Sequence, residues 1–349
     1  MVVVAAKTIP ELEVRANRAL EQIATAISNL SLEIAAEKTE AVLFTYRYKY
    51  AIPDVRVCGK PIKLTDQLTY LGIVIDKSRL FKAHIKKATE KADRVGASLA
   101  KLMPNVGGPR EARRQLLASV VHSVLLYGAP SWTHTLDVVP GNVKLLNRSQ
   151  RKVLLRKTCA YRTVSEAAMN VLAGTPQADL LAREREAEYS RRRSSIGTTV
   201  ASYPTLAAWQ RRWDTSETGR WTRTLIPNVS SWTGRRFGEL NYHLSQFLSG
   251  HGCFGTYLYK IQKVETAECV DCGAVMDNAE HAFFSCDRWW RQRRELEGSI
   301  NNDFTPQTFC GVMLESMHNW LAVSKYVDLI LAIREKEERE RQRGPPDVL

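Results

Sequence analysis

Residues 269–286 carry the spacing Cys-x2-Cys-x8-His-x4-Cys, with Cys269, Cys272, His281 and Cys286 as the four fixed points. The segment has few other apolar anchors, so this pattern constrains its fold more than any hydrophobic periodicity does. A zinc ion takes four tetrahedral ligands from thiolate and imidazole, and a Cys-x-x-Cys turn offers two sulfurs to one ion without strain. Residues 273–280 lie between the halves as a short reversal, with Gly273 directly after the second cysteine. One spacing accounts for all four residues, which points to Zn2+. The plainer alternative is three small buried thiols and a surface histidine. A complete set of four protein ligands leaves no position open for water, so the expected metal is structural rather than catalytic.

Composition sets the company such a module keeps. The chain has 349 residues, 44% hydrophobic, with a formal charge of +13 and a pI near 9.5. That is enough chain for two or three cores, and its charge suits a polyanionic partner, most simply nucleic acid. Seven cysteines, three of them in the metal motif, do not make a disulfide scaffold. Met1–Ala6 is too short for a signal peptide, and the apolar run Val120–Trp132, which carries His122, is below spanning length. No membrane partner is expected.

Taken in order, Val2–Ala5 is a β-branched run that predicts a buried strand. Pro10 and Glu11 open a helix whose stripe is Leu12, Ala16, Leu20, Ile23, Ile27 and Leu30. Lys38–Phe44 predicts a strand, Val55–Cys58 and Pro61–Leu64 a hairpin about Gly59, and Leu68–Ile75 one further strand with Gly72 inside it. From Phe81 the periodicity turns helical through Ile85, Ala88, Ala92, Val95 and Leu99. A second helix opens at Pro109 and a third covers 142–161, with Asn142 as N-cap.

At this point the sequence resembles a family. Lys38-Thr-Glu40 before a strand, Tyr70-Leu-Gly-Ile73, Phe81-x-x-His84-Ile85, Leu126-Tyr-Gly-Ala129, Ala160–Ser165, Leu248-Ser-Gly-His-Gly252 and the Cys-Cys-His-Cys motif together look like the reverse transcriptase of type-1 non-LTR retrotransposable elements. The resemblance covers nearly the whole chain. It implies the end of a polymerase palm, then a helical thumb, then a mostly helical C-terminal domain with a zinc knuckle, an α+β chain in all. It also implies a Pol polyprotein whose fingers and N-terminal endonuclease lie elsewhere, and whose aromatic-Ala-Asp-Asp turn would precede the run at Val2. Those carboxylates hold two metal ions in a polymerase. No Asp-Asp pair occurs in these residues. The expectation is a C-terminal piece of the polyprotein, cut just after its catalytic turn and inactive alone, with Mg2+ belonging only to the complete parent.

The resemblance assigns Lys38 to the motif near the incoming nucleotide's phosphates, where a lysine would neutralise developing charge. The alternative is a surface lysine capping a strand. Tyr70, Leu71 and Gly72 match the primer-grip position. The implied partners are RNA template, target DNA and the rest of the polyprotein, and the implied compartment is nuclear, after cytoplasmic synthesis.

Charge concentrates between Lys144 and Arg193, where twelve basic side chains face five acidic ones. Arg148, Arg151, Lys152, Arg156 and Lys157 recur on one helix, and Arg191, Arg192 and Arg193 close another. The sign imbalance on helices favours a phosphate-tracking surface over a merely solvated face. Further on, Trp209, Trp213, Trp221 and Trp232 interleave with arginines. Such mixtures bind single-stranded nucleic acid, but tryptophan also anchors cores. Phe237–Ser249 predicts a short helix, ended by Gly250-His251-Gly252. His251 is either a fifth metal candidate or a helix-terminal hydrogen-bonding residue. Asp287 would cap a helix presenting Arg288–Arg294 to phosphate. A last helix through Trp320, Val323, Val327 and Ile330 would run out into a solvated charged extension, 334–343. The expected divisions are 1–78 palm, 79–196 thumb, 197–265 Trp/Arg-rich connector, 266–300 knuckle with its following helix, and 301–349 C-terminal helices and tail. The polar stretch 197–204 is the sharpest boundary among them.

Overall fold

In a computed structural model, the structure describes residues 1–47, 49–193 and 204–343. Most of the boundary stretch 197–204 and the tail 344–349 therefore lie outside the described residues. The chain divides into two units, 1–87 and 88–349. It is mostly helical, and among the described residues its strands are four short ones in two hairpins.

The first unit is built on α1 (Ile9–Ser28). Thr8 caps it, its hydroxyl accepting from the Glu11 N–H, and Pro10 sits in the first turn, where a missing N–H costs nothing. Its inner face meets a small cluster of Ala16, Val55, Val57 and Ile62. The Asn17 side-chain amide bridges the adjoining segment, donating to Asp54 O at 2.9 Å and accepting from Arg56 N–H at 2.8 Å. The hairpin expected at 55–64 is present: β1 (Arg56–Val57) pairs antiparallel with β2 (Lys60–Pro61) about Cys58-Gly59, both at positive φ.

Three expectations in this unit are corrected. The run 2–5 forms no strand; Val4 packs onto the small cluster instead. Lys38–Phe44 is not a strand, because the chain makes a 3-10 turn at Ala36–Lys38 and keeps one isolated bridge, Ala41 to Leu64. Residues 68–75 are not one strand but two, β3 (Gln67–Tyr70) and β4 (Ile73–Asp76), in register Tyr70 opposite Ile73. Leu71 at φ 48° and Gly72 at φ 83° form the two-residue turn, whose left-handed conformation matches the twist of a hairpin. Gly72 is thus a turn residue, and the apolar alternation of 68–75 runs up one strand and down the next.

Phe81 leads into α2 (Lys82–Ala100), on which Ile85, Ala88 and Ala92 are buried as the periodicity predicts. The second unit continues with α3 (Glu111–Leu125), α4 (Ala129–Trp132), α5 (Pro140–Lys157), α6 (Glu166–Leu172) and α7 (Ala178–Arg193). Beyond residue 204 come α8 (Thr205–Asp214), α9 (Arg220–Leu225), α10 (Val229–Thr233), α11 (Tyr242–Ser249) and α12 (Gly255–Lys260). The metal motif follows, then α13 (Trp290–Ile300), α14 (Phe309–Glu315) and α15 (Met317–Arg343).

One hydrophobic cluster runs from Leu154 to Leu331 and takes in Cys269 and Cys286. Trp209, Trp213 and Trp232 are all at most 2% exposed, so the tryptophans of the Trp/Arg stretch are core anchors, with Trp221 half-buried at its edge. Arg235 lies with its guanidinium over the Trp232 ring (4.4 Å) and the Trp320 ring (5.2 Å). Gly238, at φ +83°, lies against Trp320 with no room for a Cβ.

Two helix starts also differ from expectation. Asn142 does not cap α5; Pro140 opens that helix, and Asn142 is buried in its first turn, donating to Thr135 Oγ1. The helix expected from Phe237 begins at Tyr242, because Asn241 caps it by accepting from the Leu244 N–H.

Candidate metal centre and basic surfaces

The metal motif folds as a tight reversal. Cys269 N–H donates to Ala274 O at 2.8 Å, Gly273 N–H to Cys269 O at 2.9 Å, and Asp277 N–H to Ala267 O at 2.8 Å. Gly273 takes φ +74° as the chain leaves the Cys-x-x-Cys turn. The other two members of the motif flank one turn of π-helix, His281–Ser285: His281 opens it and Cys286 follows it in extended conformation, the turn being started by Asn278, whose side chain accepts from the His281 N–H at 2.7 Å. Its closing bond, Cys286 N–H to His281 O at 2.8 Å, spans five residues. On an α-helix residues five apart point about 140° away from each other; an i to i+5 turn winds more slowly and brings them to the same side.

The resulting cluster fits a tetrahedral ion. Cys269 Sγ and Cys272 Sγ each lie 3.9 Å from Cys286 Sγ, and Cys272 Sγ lies 3.3 Å from His281 Nε2. All four ligand atoms lie within 4.8 Å of one another. Zinc–sulfur bonds of ~2.3 Å require tetrahedral edges of about 3.8 Å, which these separations approach. Burial pushes the Cys286 thiol up to about 12; a hydrogen bond from the Arg288 backbone opposes this, while Cys269 and Cys272 add to it. A cation bound among the three sulfurs would favour their thiolate forms. His251 is not in the cluster; its Nδ1 bonds Ser249 O at 2.7 Å, beside the left-handed cap at Gly250.

Helix α15 braces the reversal. Arg334, buried, donates to Cys253 O at 2.9 Å and forms an ion pair with Asp277, whose Oδ2 also accepts from Gly255 N–H at 2.7 Å. Arg288 bridges Asp271 and Glu337, the latter through Nη1 at 2.9 Å, and lies over the Trp289 ring. Tyr326 donates from its hydroxyl to Phe283 O at 2.7 Å. Two expectations are overturned here. Asp287 does not cap a helix with its side chain, and Arg288 faces carboxylates. The extension 334–343 is not wholly solvated, because Arg334 and Glu338 are both buried. A run of alternating charges gives no sign from sequence that two of its members point inward.

The basic residues of α5 separate into two sets. Arg148, Lys152 and Arg156 are exposed and recur at intervals of four, so they share a face. Lys152 pairs with Asp93. Arg151 is half-buried and donates to the carbonyls of Arg162 and Val164. Lys157 is 5% exposed and donates to Ala173 O and, at 3.4 Å, to Thr175 Oγ1. Burial lowers it to about 8. It cannot be a phosphate contact, because its ammonium is enclosed by these acceptors. Arg191, Arg192 and Arg193 are exposed at the end of α7, with Arg192 on Glu188 and Arg193 over the Tyr189 ring.

In the first unit, Lys38 is exposed in its 3-10 turn, while Tyr70, Leu71 and Gly72 form the tip of the β3–β4 hairpin, Leu71 being 73% exposed. No helix among the described residues is long and apolar enough to cross a membrane.

Known proteins provide the comparison. No family model matches the chain, and no solved structure does. The chain is 28% identical over 287 residues, 76% of its length, to a 115 kDa protein in type-1 retrotransposable element R1DM of Drosophila melanogaster. It is 27% identical over 318 residues to the retrovirus-related Pol polyprotein from type-1 retrotransposable element R1 of Bradysia coprophila, covering 85% of this chain. A third, from element R1 4 of Nasonia vitripennis, is 26% identical over 295 residues, 78% of this chain and 73% of the relative. The aligned part spans 28% and 31% of the first two relatives' own lengths. The protein is retrotransposon-derived, a homologue over most of its length of the Pol polyproteins of type-1 retrotransposable elements R1.

Proposed function

We propose that this chain is the C-terminal part of a retrotransposon RNA-directed DNA polymerase that works by target-primed reverse transcription. It supplies the end of the palm, the thumb and a zinc knuckle that grips nucleic acid. The observation that carries this reading is the similarity to proteins of R1 retrotransposable elements, two of them Pol polyproteins, along three quarters or more of the chain. The +13 charge, the exposed cationic face of α5 and the Cys3His cluster support it. Tyr70, Leu71 and Gly72 at a hairpin tip would meet the primer backbone, and Lys38 the incoming nucleotide. Zn2+ would be held by Cys269, Cys272, His281 and Cys286. RNA template, target DNA and the rest of the polyprotein are the partners, in the nucleus.

The test is metal content and RNA and DNA binding of the purified chain, with and without chelator, beside a primer-extension assay. One zinc per chain, salt-sensitive binding and no extension are expected. A chain that binds neither RNA nor DNA would sink the proposal. A second reading is a free-standing, non-catalytic zinc protein derived from a retrotransposon; the lack of any Asp-Asp pair in the given sequence fits both readings. An upstream frame in the same transcript encoding an aromatic-Ala-Asp-Asp turn would decide against it.

A further inference from the structure

We propose that a groove in the second unit, between α2, α5, α12 and α15, is a binding site for single-stranded nucleic acid, distinct from the metal module. It rests on the nucleic-acid reading above and adds a location and a mode. The groove encloses about 810 Å3, within the ~300–1,000 Å3 of ligand pockets.

Its floor on α2 is small: Ala92, Gly96, Ala97 and Ala100 remove the side-chain bulk that would otherwise close it. One wall is aromatic. Tyr161 and Tyr257 stack at 5.9 Å with 30° between planes, and Tyr242 meets Tyr161 edge-on at 6.1 Å. Their hydroxyls are engaged, Tyr161 with Tyr242 at 2.8 Å and Tyr257 with Thr163 at 3.0 Å. The rings are therefore held in place while only half-buried.

The charges sort the occupant. Groove residues Asp93, Glu335 and Glu338 have cations of their own: Lys152, Arg339 and Arg341 respectively. Arg156 and Arg162 also line the groove, are exposed, and have no carboxylate partner among the described residues. Fixed aromatic faces beside unpaired guanidinium groups suit bases and phosphates together, which is how single strands are held without sequence preference. An apolar protein helix would leave both arginines without a counter-charge.

The test uses the full chain and a fluorescein-labelled oligouridylate of about 12 nucleotides, inside the ~4–16 nucleotides that single-strand sites cover. Three variants address the three features: Arg156→Gln with Arg162→Gln, Tyr257→Ala, and Ala97→Trp, which fills the groove from its helical floor. Each should weaken binding about tenfold, the loss of one stacked base or a phosphate pair. The double arginine variant should also flatten the salt slope by about 1.4, at ~0.7 per phosphate on a single strand. Ala97→Trp should keep its metal and its melting temperature, so it stands even if Tyr257→Ala folds poorly. If wild type binds and all three variants bind equally well, the groove is refuted while the nucleic-acid reading survives. If Ala97→Trp weakens binding but the arginine variant changes neither affinity nor slope, phosphate is not recognised and the proposed occupant is wrong. If wild type does not bind, the underlying functional proposal fails with it.

Discussion

Helix α5 and the metal module are both rich in arginine, and their arginines do opposite things. Around the Cys/His cluster, Arg288 and Arg334 are bound to Asp271, Glu337 and Asp277 and fasten a reversal to α15. On α5, Arg148 and Arg156 stand exposed at helical spacing, and the buried member of the run, Lys157, is held by oxygen acceptors. Density of positive charge along the sequence therefore does not locate a phosphate-binding surface. What locates it is whether acceptors within the fold already hold each cation. Near the Cys/His cluster Arg288 and Arg334 are both answered, so that module's outward charge is smaller than its composition suggests.

This contrast can be broken most decisively at the metal. Cys272→Ser should reduce bound zinc from one per chain to near zero by elemental analysis, since structural zinc contributes ~10–16 kcal/mol in small zinc-folded peptides. Retention of a stoichiometric ion would remove Cys272 from the ligand set. Next in size, Arg334→Met should destabilise the second unit by roughly 3–5 kcal/mol, because it leaves Asp277 charged, buried and unpaired. The double change with Asp277→Asn should recover part of that loss in a denaturant titration. If Arg334→Met melts like wild type, the brace is not energetically important.

On α5, replacing Arg148 and Arg156 by Gln should flatten the salt dependence of duplex binding by about 0.9 for each phosphate no longer neutralised. Lys157→Met should leave that slope unchanged. An equal effect from both substitutions would erase the distinction between exposed and enclosed cations.

The smallest expected effect is a pH dependence. His243 lies on Asp328 at 3.1 Å and near Glu335, joining α11 to α15. Burial would lower its pKa, but these two carboxylates outweigh it and raise the imidazole to about 9. A folded value above the unfolded one, near 6.5, means its stabilisation is complete below pH 6.5 and fades as pH rises through 9. His243→Gln should therefore lower the melting temperature at pH 6 more than at pH 9.5. Equal losses at both would show that the imidazole is not charged in the fold.

The Cys269, Cys272, His281 and Cys286 cluster is legible in the sequence because its spacing is one that tetrahedral coordination would impose and little else produces. The long helices are legible from their stripes, as at Ile85, Ala88 and Ala92. The first unit is far less so. Runs such as 2–5 and 38–44 have strand-like composition, but a strand also needs a partner edge, and edges are not written in local sequence. Residues 68–75 read as one strand because the alternation continues across Leu71-Gly72, where two positive φ angles fold it in half. The brace at Arg334 is invisible for a different reason. It joins residues 57 positions apart, hidden in a run whose charges look solvated.

That brace also changes what can be cut from the protein. A peptide covering 266–300 would contain the whole Cys/His cluster, yet it would leave Asp277 without Arg334, Arg288 without Glu337 and the Phe283 carbonyl without Tyr326. An excised knuckle of that length should behave as a weaker, floppier chelator than the same residues in the intact chain. In this protein the unit that holds the Cys/His cluster together is longer than the motif that announces it, and it ends within the last helix.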